Sequence, residues 1–313
     1  MSTTIKPLTN KTIYIPSQDG LTPIQELCKA GDLKGIKAQL LEDESILYCG
    51  TGNEKALIHL AVECGHEHIV AFLVKRDPHC LAFCDDQGNT PLHTAVSEGN
   101  SSMQSLLISE MTKRNYSIDM KNDFEQSPLL VAARINDIEA VERLLEAGAK
   151  ANISNFNNWT AFHSATALDN HDMLSLLLQH YSKGANSKDL LGFTPLHYAA
   201  AKGDLIAMRI LIDHGAKVNT RNNEKRTPMH EAARNNQVFA IRLLYENGAS
   251  LNRHESDSGM VPLHVTVLHG NVEAAACLKE LGARLTEVDR LGHTPAKWAE
   301  HANNVELAGI LNA

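Results

Sequence analysis

The stretch Thr194-Pro195-Leu196-His197-Tyr198-Ala199-Ala200-Ala201-Lys202-Gly203 decides the fold, because its opening motif returns along the whole chain. The same pattern begins at Thr90 and Thr227, and Pro262-Leu263-His264 lacks only the threonine. With the threonine position as a marker, the copies begin at Thr22, Ala56, Thr90, Ser127, Thr160, Thr194, Thr227, Val261 and Thr294. Neighbouring markers lie 33 to 37 residues apart. The sequence therefore predicts one structural unit repeated nine times.

Each part of the unit has a mechanical role. Threonine is a favourable N-cap, and proline fits the first helical position, where its missing N–H costs nothing. Gly203 ends this first helix in a left-handed turn. A more aliphatic second helix follows, as over Ile138 to Ala147, and Ala149 to Trp159 then forms a hairpin-like finger. One such unit cannot bury its apolar faces alone, so the sequence predicts an all-α repeat solenoid.

A period near 33 that contains Thr-Pro-Leu-His-x-Ala resembles the ankyrin repeat, over about Ser17 to Ala313. The resemblance implies a stack of helix-turn-helix units with fingers. We expect a polar N-terminal tail over residues 1–16 and a nine-repeat domain over residues 17–313. The ends depart from the pattern, since Gln25 and Lys297 occupy the histidine position and the first repeat has a charged second helix, Lys34 to Glu44. The single 37-residue spacing predicts a longer surface loop around Ser109 to Asp119.

Composition narrows the choice of partner. The formal net charge of −8 makes nucleic acid and anionic membranes unfavourable partners. The start of the chain lacks a secretory apolar core, and no apolar run approaches the length of a membrane span. Six cysteines are too few for a disulfide framework in a chain of 313 residues. We therefore expect a cytoplasmic protein with reduced thiols that is monomeric on its own.

Histidines and cysteines suggest metal binding or catalysis, but their positions argue against both. Six histidines share one position in six repeats, and the resemblance implies that each bonds the backbone of the next repeat: His59, His93, His163, His197, His230 and His264. Cys80 and Cys84, with His66, His68 and His79 nearby, fall within the spacing range of zinc sites. They lie on an ordinary turn and finger, however. We expect no catalytic residue, no metal and no cofactor.

Three asparagines match a modification pattern that the family resemblance suggests. A cytosolic asparaginyl hydroxylase prefers leucine eight residues upstream, and Asn152, Asn219 and Asn252 each have one. The same asparagines can instead stabilise their fingers by local side-chain hydrogen bonds. The sequence leaves both interpretations open.

The predicted partner-binding residues follow from alignment on the markers. In structures of the family that the chain resembles, residues just before the marker and at the finger tip point outward. Here these positions carry large side chains in the fourth to sixth repeats, and the exposed ends of the first helices add three more residues. The candidate set is Phe124, Gln126, Phe156, Trp159, Leu190, Leu191, Phe193, Arg134, Tyr198 and Lys202. Alternatively, Phe156 or Trp159 folds back onto its own finger.

The function that the resemblance implies is protein binding without catalysis. We expect an interaction module or adaptor that holds a partner protein in the concave groove and on the fingers. A second hypothesis is a secreted effector of an intracellular bacterium that acts on a protein in the host cytosol. A hypothesis of another class is an enzyme or metal-binding protein that uses the Cys80/Cys84 region. The sequence does not identify the partner, the pathway or the organism.

Overall fold

The computed structural model describes residues 22–42 and 56–312. Within these residues the secondary structure is helical, with eighteen α-helices, two 3-10 helices and one isolated antiparallel bridge between Ser154 and Thr160. The predicted all-α repeat fold is therefore confirmed. The expected tail over residues 1–16 lies outside the described residues, as does the end of the helix expected to reach Glu44.

The helices alternate between a short first helix and a second helix in each repeat. The first helices are α1 Pro23–Lys29, α3 Leu57–Glu63, α5 Pro91–Ser97, α7 Pro128–Arg134, α9 Ala161–Ala167, α11 Pro195–Lys202, α13 Pro228–Arg234, α15 Pro262–Leu268 and α17 Pro295–His301. The second helices are α2 Leu33–Glu42, α4 Glu67–Arg76, α6 Ser101–Lys113, α8 Ile138–Glu146, α10 His171–His180, α12 Leu205–Asp213, α14 Val238–Glu246, α16 Val272–Glu280 and α18 Val305–Asn312. The 3-10 helices, Pro78–Ala82 and Ser182–Asn186, follow α4 and α10.

Every first helix is followed by a residue with left-handed backbone geometry, which lies nine positions after the marker. Glycine fills this position in five repeats, for example Gly203 with φ +73°. In the other four, the same geometry is adopted by Asn136, Asp169, Asn236 and Asn303. Asparagine and aspartate tolerate this conformation better than other residues with side chains. The turn is thus preserved in repeats that have no glycine to predict it.

The chain forms two compact units, residues 1–131 and 132–313. In the first unit, α1, α3 and α5 pack in sequence, and α4 packs against α6. In the second unit, the first helices α9, α11, α13, α15 and α17 form one layer, and the second helices from α8 to α18 form another. Small buried side chains such as Ala199 and Ala200 allow neighbouring first helices to approach closely. Each unit is therefore a stack in which a repeat contacts its neighbours.

The prediction of a longer loop around Ser109 to Asp119 is wrong. The extra residues lengthen α6, which has 13 residues where α4 and α10 have 10. The cause is apolar periodicity, because Leu107 and Met111 are both buried and extend the packed face by one turn. The helix then ends, and the Tyr116 hydroxyl lies 3.0 Å from Nδ1 of His79 in the preceding repeat.

Candidate protein-binding surface

One finger geometry recurs and is built by an Asn or Asp five residues before the marker. In the fifth repeat, the Asn155 side-chain oxygen accepts hydrogen bonds from the backbone N–H groups of Asn157 and Trp159, both at 3.0 Å. Equivalent pairs of bonds are accepted by Asp85, Asn122, Asp189, Asn222 and Asp289. The local side chain therefore fixes the backbone that presents the finger tip.

The finger tips of the second unit are also joined to one another. The Leu190 N–H donates to the Asn157 carbonyl at 2.7 Å, and the Asn223 N–H donates to the Leu191 carbonyl at 3.0 Å. The same link joins Ser256 to Glu224 and Arg290 to Ser258, each at 2.8 Å. These bonds hold the tips of successive repeats in a fixed register.

Three of the predicted contact residues form an exposed apolar group at adjacent tips. Phe156 is 53% exposed, Leu190 57% and Leu191 62%. Phe156 precedes Asn157, whose carbonyl accepts the bond from Leu190, so the two tips meet at this group. We call Phe156, Leu190 and Leu191 the tip patch. Exposed apolar side chains gathered in this way commonly mark interaction surfaces.

Trp159, Phe193 and Tyr198 are half-buried and pack together in the same two repeats as the tip patch. The ring centroids of Trp159 and Tyr198 lie 5.3 Å apart, and those of Phe193 and Tyr198 lie 5.6 Å apart. The Trp159 indole N–H donates to the Ser164 hydroxyl at 2.8 Å. The Tyr198 hydroxyl donates to Asp189 at 2.6 Å, and burial together with this bond raises the Tyr198 pKa. Trp159 thus packs against α9 of its own repeat and against Tyr198 of the next repeat, rather than folding back onto its own finger, and Phe156 remains exposed.

Two cationic candidates lie at the ends of first helices. Arg134 and Lys202 are both exposed. The Lys202 ammonium donates to the Ala167 carbonyl at 2.9 Å and contacts Asp169. Lys202 therefore ties its repeat to the preceding one as well as facing solvent.

The two candidates in the first unit differ from each other. Phe124 is 47% exposed, as expected for a tip residue. The expected outward position is wrong for Gln126, which is only 7% exposed. Its carbonyl accepts a hydrogen bond from His93 Nε2 at 2.9 Å, which holds the residue at the junction of two repeats.

Five of the six repeated histidines make the contact with the next repeat that was expected of them, whereas the buried Nε2 of His230 has no hydrogen-bond partner among the described residues. In His197, Nδ1 accepts from the Thr194 N–H at 3.1 Å, while Nε2 lies 3.2 Å from the Arg226 carbonyl in the next repeat. The Nε2 contact with the next repeat recurs in His59, His93, His163 and His264. Burial lowers the pKa of His93 and His197 to about 4, so these rings are neutral at pH 7.

The histidines and cysteines of the second and third repeats are spread over separate contacts. His66 and His68 lie 3.0 and 3.1 Å from the carbonyls of Lys29 and Gly31. Cys80 is buried, which raises its pKa to about 12, whereas Cys84 is exposed. Within residues 22–42 and 56–312, no group of three His, Cys, Asp or Glu side chains could hold a metal ion.

The hydroxylation candidates differ in environment. Asn152 is exposed. The Asn219 side chain donates to the Gly248 carbonyl at 3.0 Å and accepts from the Ser250 N–H at 2.8 Å. The Asn252 oxygen accepts from the Arg284 N–H at 2.9 Å. Two of the three asparagines thus have a structural role, although these hydrogen bonds join neighbouring repeats and are not local to one finger as expected. Hydroxylation stays a prediction that intact-mass measurement after enzyme treatment would test.

A charged cluster that we did not predict from the sequence borders the aromatic rings in the seventh repeat. Arg226, in the position of Trp159 and Phe193, contacts Glu255 at 2.6 Å and Glu224 at 2.8 Å. Glu231, in the position of Tyr198, is 4% exposed, and burial raises its pKa. Alignment on the markers places Arg226 and Glu224 in the seventh finger, but the ion pairs of Arg226 are seen only in the structure. The aromatic row therefore ends where this paired cluster begins.

Comparison with known proteins agrees with this geometry. The family model described as "Ankyrin repeats (3 copies)" matches residues 24–116, 106–189 and 181–255. The nuclear factor NF-kappa-B p105 subunit of Gallus gallus is 33% identical over 250 residues, which cover 78% of this chain and 22% of that protein. Transient receptor potential cation channel subfamily A member 1 of Homo sapiens is 31% identical over 140 residues, or 44% of this chain and 12% of the channel. The chain thus spans about a fifth or less of these relatives.

Among solved structures, the ankyrin repeat domain of Bcl-3, described as a unique member of the IkappaB protein family, superposes with a TM-score of 0.66. The match has 26% sequence identity and covers 73% of this chain and all of that domain. No helix in the described part of the chain is long and apolar enough to cross a membrane. With matches to the family model over most of its length, the chain belongs to the ankyrin-repeat family.

Proposed function

We propose that this chain is a non-enzymatic adaptor that binds a partner protein through the tip patch of its second unit. The ankyrin-repeat fold is a protein–protein interaction fold, which supports the class of function. The observation that carries the site is the exposure of Phe156, Leu190 and Leu191 on two tips joined by a 2.7 Å backbone bond. Because the tips are already ordered, a partner that covers them loses little conformational freedom of the chain on binding.

Aromatic residues of the same two fingers support the same site. Trp159 and Phe193 belong to the fingers that carry the tip patch, and both pack against Tyr198. Burial of a few large apolar anchors dominates the energy of most protein interfaces. We propose that Phe156 and Leu191 are these anchors, and that Lys202 lies at the rim. We place this interaction in the cytoplasm, with the chain acting as a monomer.

The test compares two double variants of the full chain. Phe156→Ala with Leu191→Ala removes two anchors, whereas Val288→Ala with Leu291→Ala removes two other exposed apolar side chains, 46% and 72% exposed, from the last finger. Trp159 is left intact because its loss would break a partly buried hydrogen bond to Ser164. Each immobilised protein is incubated with cell lysate, and captured proteins are measured by quantitative mass spectrometry.

We expect at least one protein to be retained by the unmodified chain and by the Val288/Leu291 control. Its capture should fall roughly 30-fold on the Phe156/Leu191 variant, which corresponds to about 2 kcal/mol. Circular dichroism verifies that all three proteins are folded. Equal capture by the two double variants would show that the tip patch is not the binding site.

A further inference from the structure

The strongest charged feature outside the tip patch follows the second helices of the second unit. Four stacked segments of seven residues lie there, over residues 182–188, 215–221, 248–254 and 282–288. They contain one acidic residue, Glu287, and six basic residues, Lys183, Lys188, Lys217, Arg221, Arg253 and Arg284. The whole chain has 29 basic and 37 acidic residues, so basic charge is concentrated here against the net sign of the protein. We call these six residues the basic stripe.

The segments are held in register by a row of asparagines. Asn186 donates to the Gly215 carbonyl and accepts from the Lys217 N–H, both at 2.8 Å. Asn219 joins the second segment to the third in the same way, and Asn252 accepts from the Arg284 N–H. The basic side chains therefore come from positions that the backbone fixes, one segment beside the next.

The basic side chains of the first three segments are available to bind an anionic group. All six basic residues are exposed. The Lys188 ammonium donates to the Arg221 carbonyl at 2.7 Å, a contact that does not neutralise its charge and that joins the first segment to the second. Among the described ion pairs only Arg284 of the stripe takes part, with Glu287 at 3.1 Å. The stripe is thus most positive over its first two segments, residues 182–188 and 215–221.

The stripe is narrow. Acidic residues, Asp213, Glu246 and Glu280, end the second helices just before the second to fourth segments. A broad anionic surface, such as a lipid bilayer, would meet these carboxylates together with the cations. A single extended strand can follow the cations alone. The charge pattern therefore fits a thin, linear acidic partner.

We propose that the basic stripe binds an extended acidic segment of a partner protein, a surface distinct from the tip patch and independent of it. Packed helices of neighbouring repeats are about 10 Å apart. An extended chain rises about 3.3 Å per residue, so roughly three residues span one repeat. The complementary segment therefore carries Asp or Glu at about every third position, with each carboxylate opposite the cations of one segment.

The probe is a fluorescent peptide of about 12 residues with Glu at every third position, long enough to span four repeats at about 3.3 Å per residue. Its binding to the full chain is measured by fluorescence anisotropy in about 20 mM and about 200 mM salt. We expect binding at low salt that weakens about tenfold or more at the higher salt, because exposed charges are screened.

Charge reversal locates the site. Lys217→Glu with Arg221→Glu should weaken peptide binding at low salt by about tenfold or more, and the milder Lys217→Gln with Arg221→Gln should have a smaller effect. The matched control reverses two exposed lysines elsewhere in the second unit, Lys225→Glu with Lys297→Glu, and should stay within about twofold of the unmodified chain.

Three outcomes would overturn the proposal. The first is an equal loss in the stripe and control variants, which would indicate only a response to net charge. The second is no detectable peptide binding at low salt. The third is tighter binding of single-stranded DNA of equal charge than of the peptide, which would assign the stripe to nucleic acid.

Discussion

Replacing Asp189 by alanine tests whether one buried carboxylate holds the sixth finger. Its Oδ1 accepts from the Leu191 and Phe193 N–H groups at 3.0 and 2.8 Å, and its Oδ2 accepts from the Tyr198 hydroxyl at 2.6 Å. Hydrogen bonds to charged groups contribute about 1.5–3 kcal/mol each. Water can partly replace the carboxylate at the half-exposed finger, so we expect Asp189→Ala to lower the free energy of unfolding by about 3 kcal/mol in total.

Asp189→Asn is the matched control. Asn155 and Asn222 already hold their fingers with an amide oxygen, so the amide should keep both backbone bonds and cost about 1 kcal/mol. Urea unfolding followed by circular dichroism gives both values. Repeat stacks can unfold in steps, so the transitions are compared before free energies are extracted. An alanine variant within about 0.5 kcal/mol of the unmodified chain, or an asparagine variant as unstable as alanine, would refute the reasoning.

Three further predictions, which use four substitutions, test other parts of the structure. Burial holds the His197 pKa near 4, below its ordinary 6.5, so the unfolded chain takes up the proton first and stability falls as pH drops through this range. His197→Gln should reduce that fall in urea midpoints measured from neutral to acid pH; an unchanged slope contradicts it. Gly184→Ala should cost about 3 kcal/mol, because its Cβ would lie 2.1 Å from the buried Phe162 ring, whereas Gly309→Ala, with open space around it, should be neutral or stabilising by up to about 1 kcal/mol. Equal thermal midpoints for the two alanine variants would exclude that clash. Thr194→Ala should lower stability by about 1 kcal/mol and leave partner binding intact, and a folded variant that no longer binds would contradict a purely structural role.

The fold could be predicted because its signals are local. Threonine caps a first helix, proline fits its first position and glycine ends it, and this pattern recurs every 33 to 37 residues. The turn residues that are not glycine, such as Asn136, were missed because the sequence does not distinguish an asparagine with left-handed backbone geometry from any other surface asparagine. The length of α6 was missed because burial of Met111 depends on what packs beside it.

The candidate surface was only partly predictable, for a similar reason. Alignment located Phe156, Leu190 and Leu191 correctly as exposed side chains, since a finger tip has few neighbours. The residue before the marker is different, because it lies at the junction of two repeats. There Trp159 finds a hydroxyl partner in Ser164, and the backbone of Gln126 is held by His93. The environment of such a residue depends on the following first helix and on the neighbouring repeat, as with Ser164 and Tyr198 around Trp159.

The link between successive finger tips has a consequence for how such a surface can change. The link uses main-chain N–H and carbonyl groups, and the finger beneath it is shaped by one buried Asn or Asp. The side chains at positions 156, 190 and 191 take no part in either support. Under the proposed function, variation at these positions would change which proteins are recognised with little effect on folding, so ligand choice and architectural integrity could evolve separately in this chain.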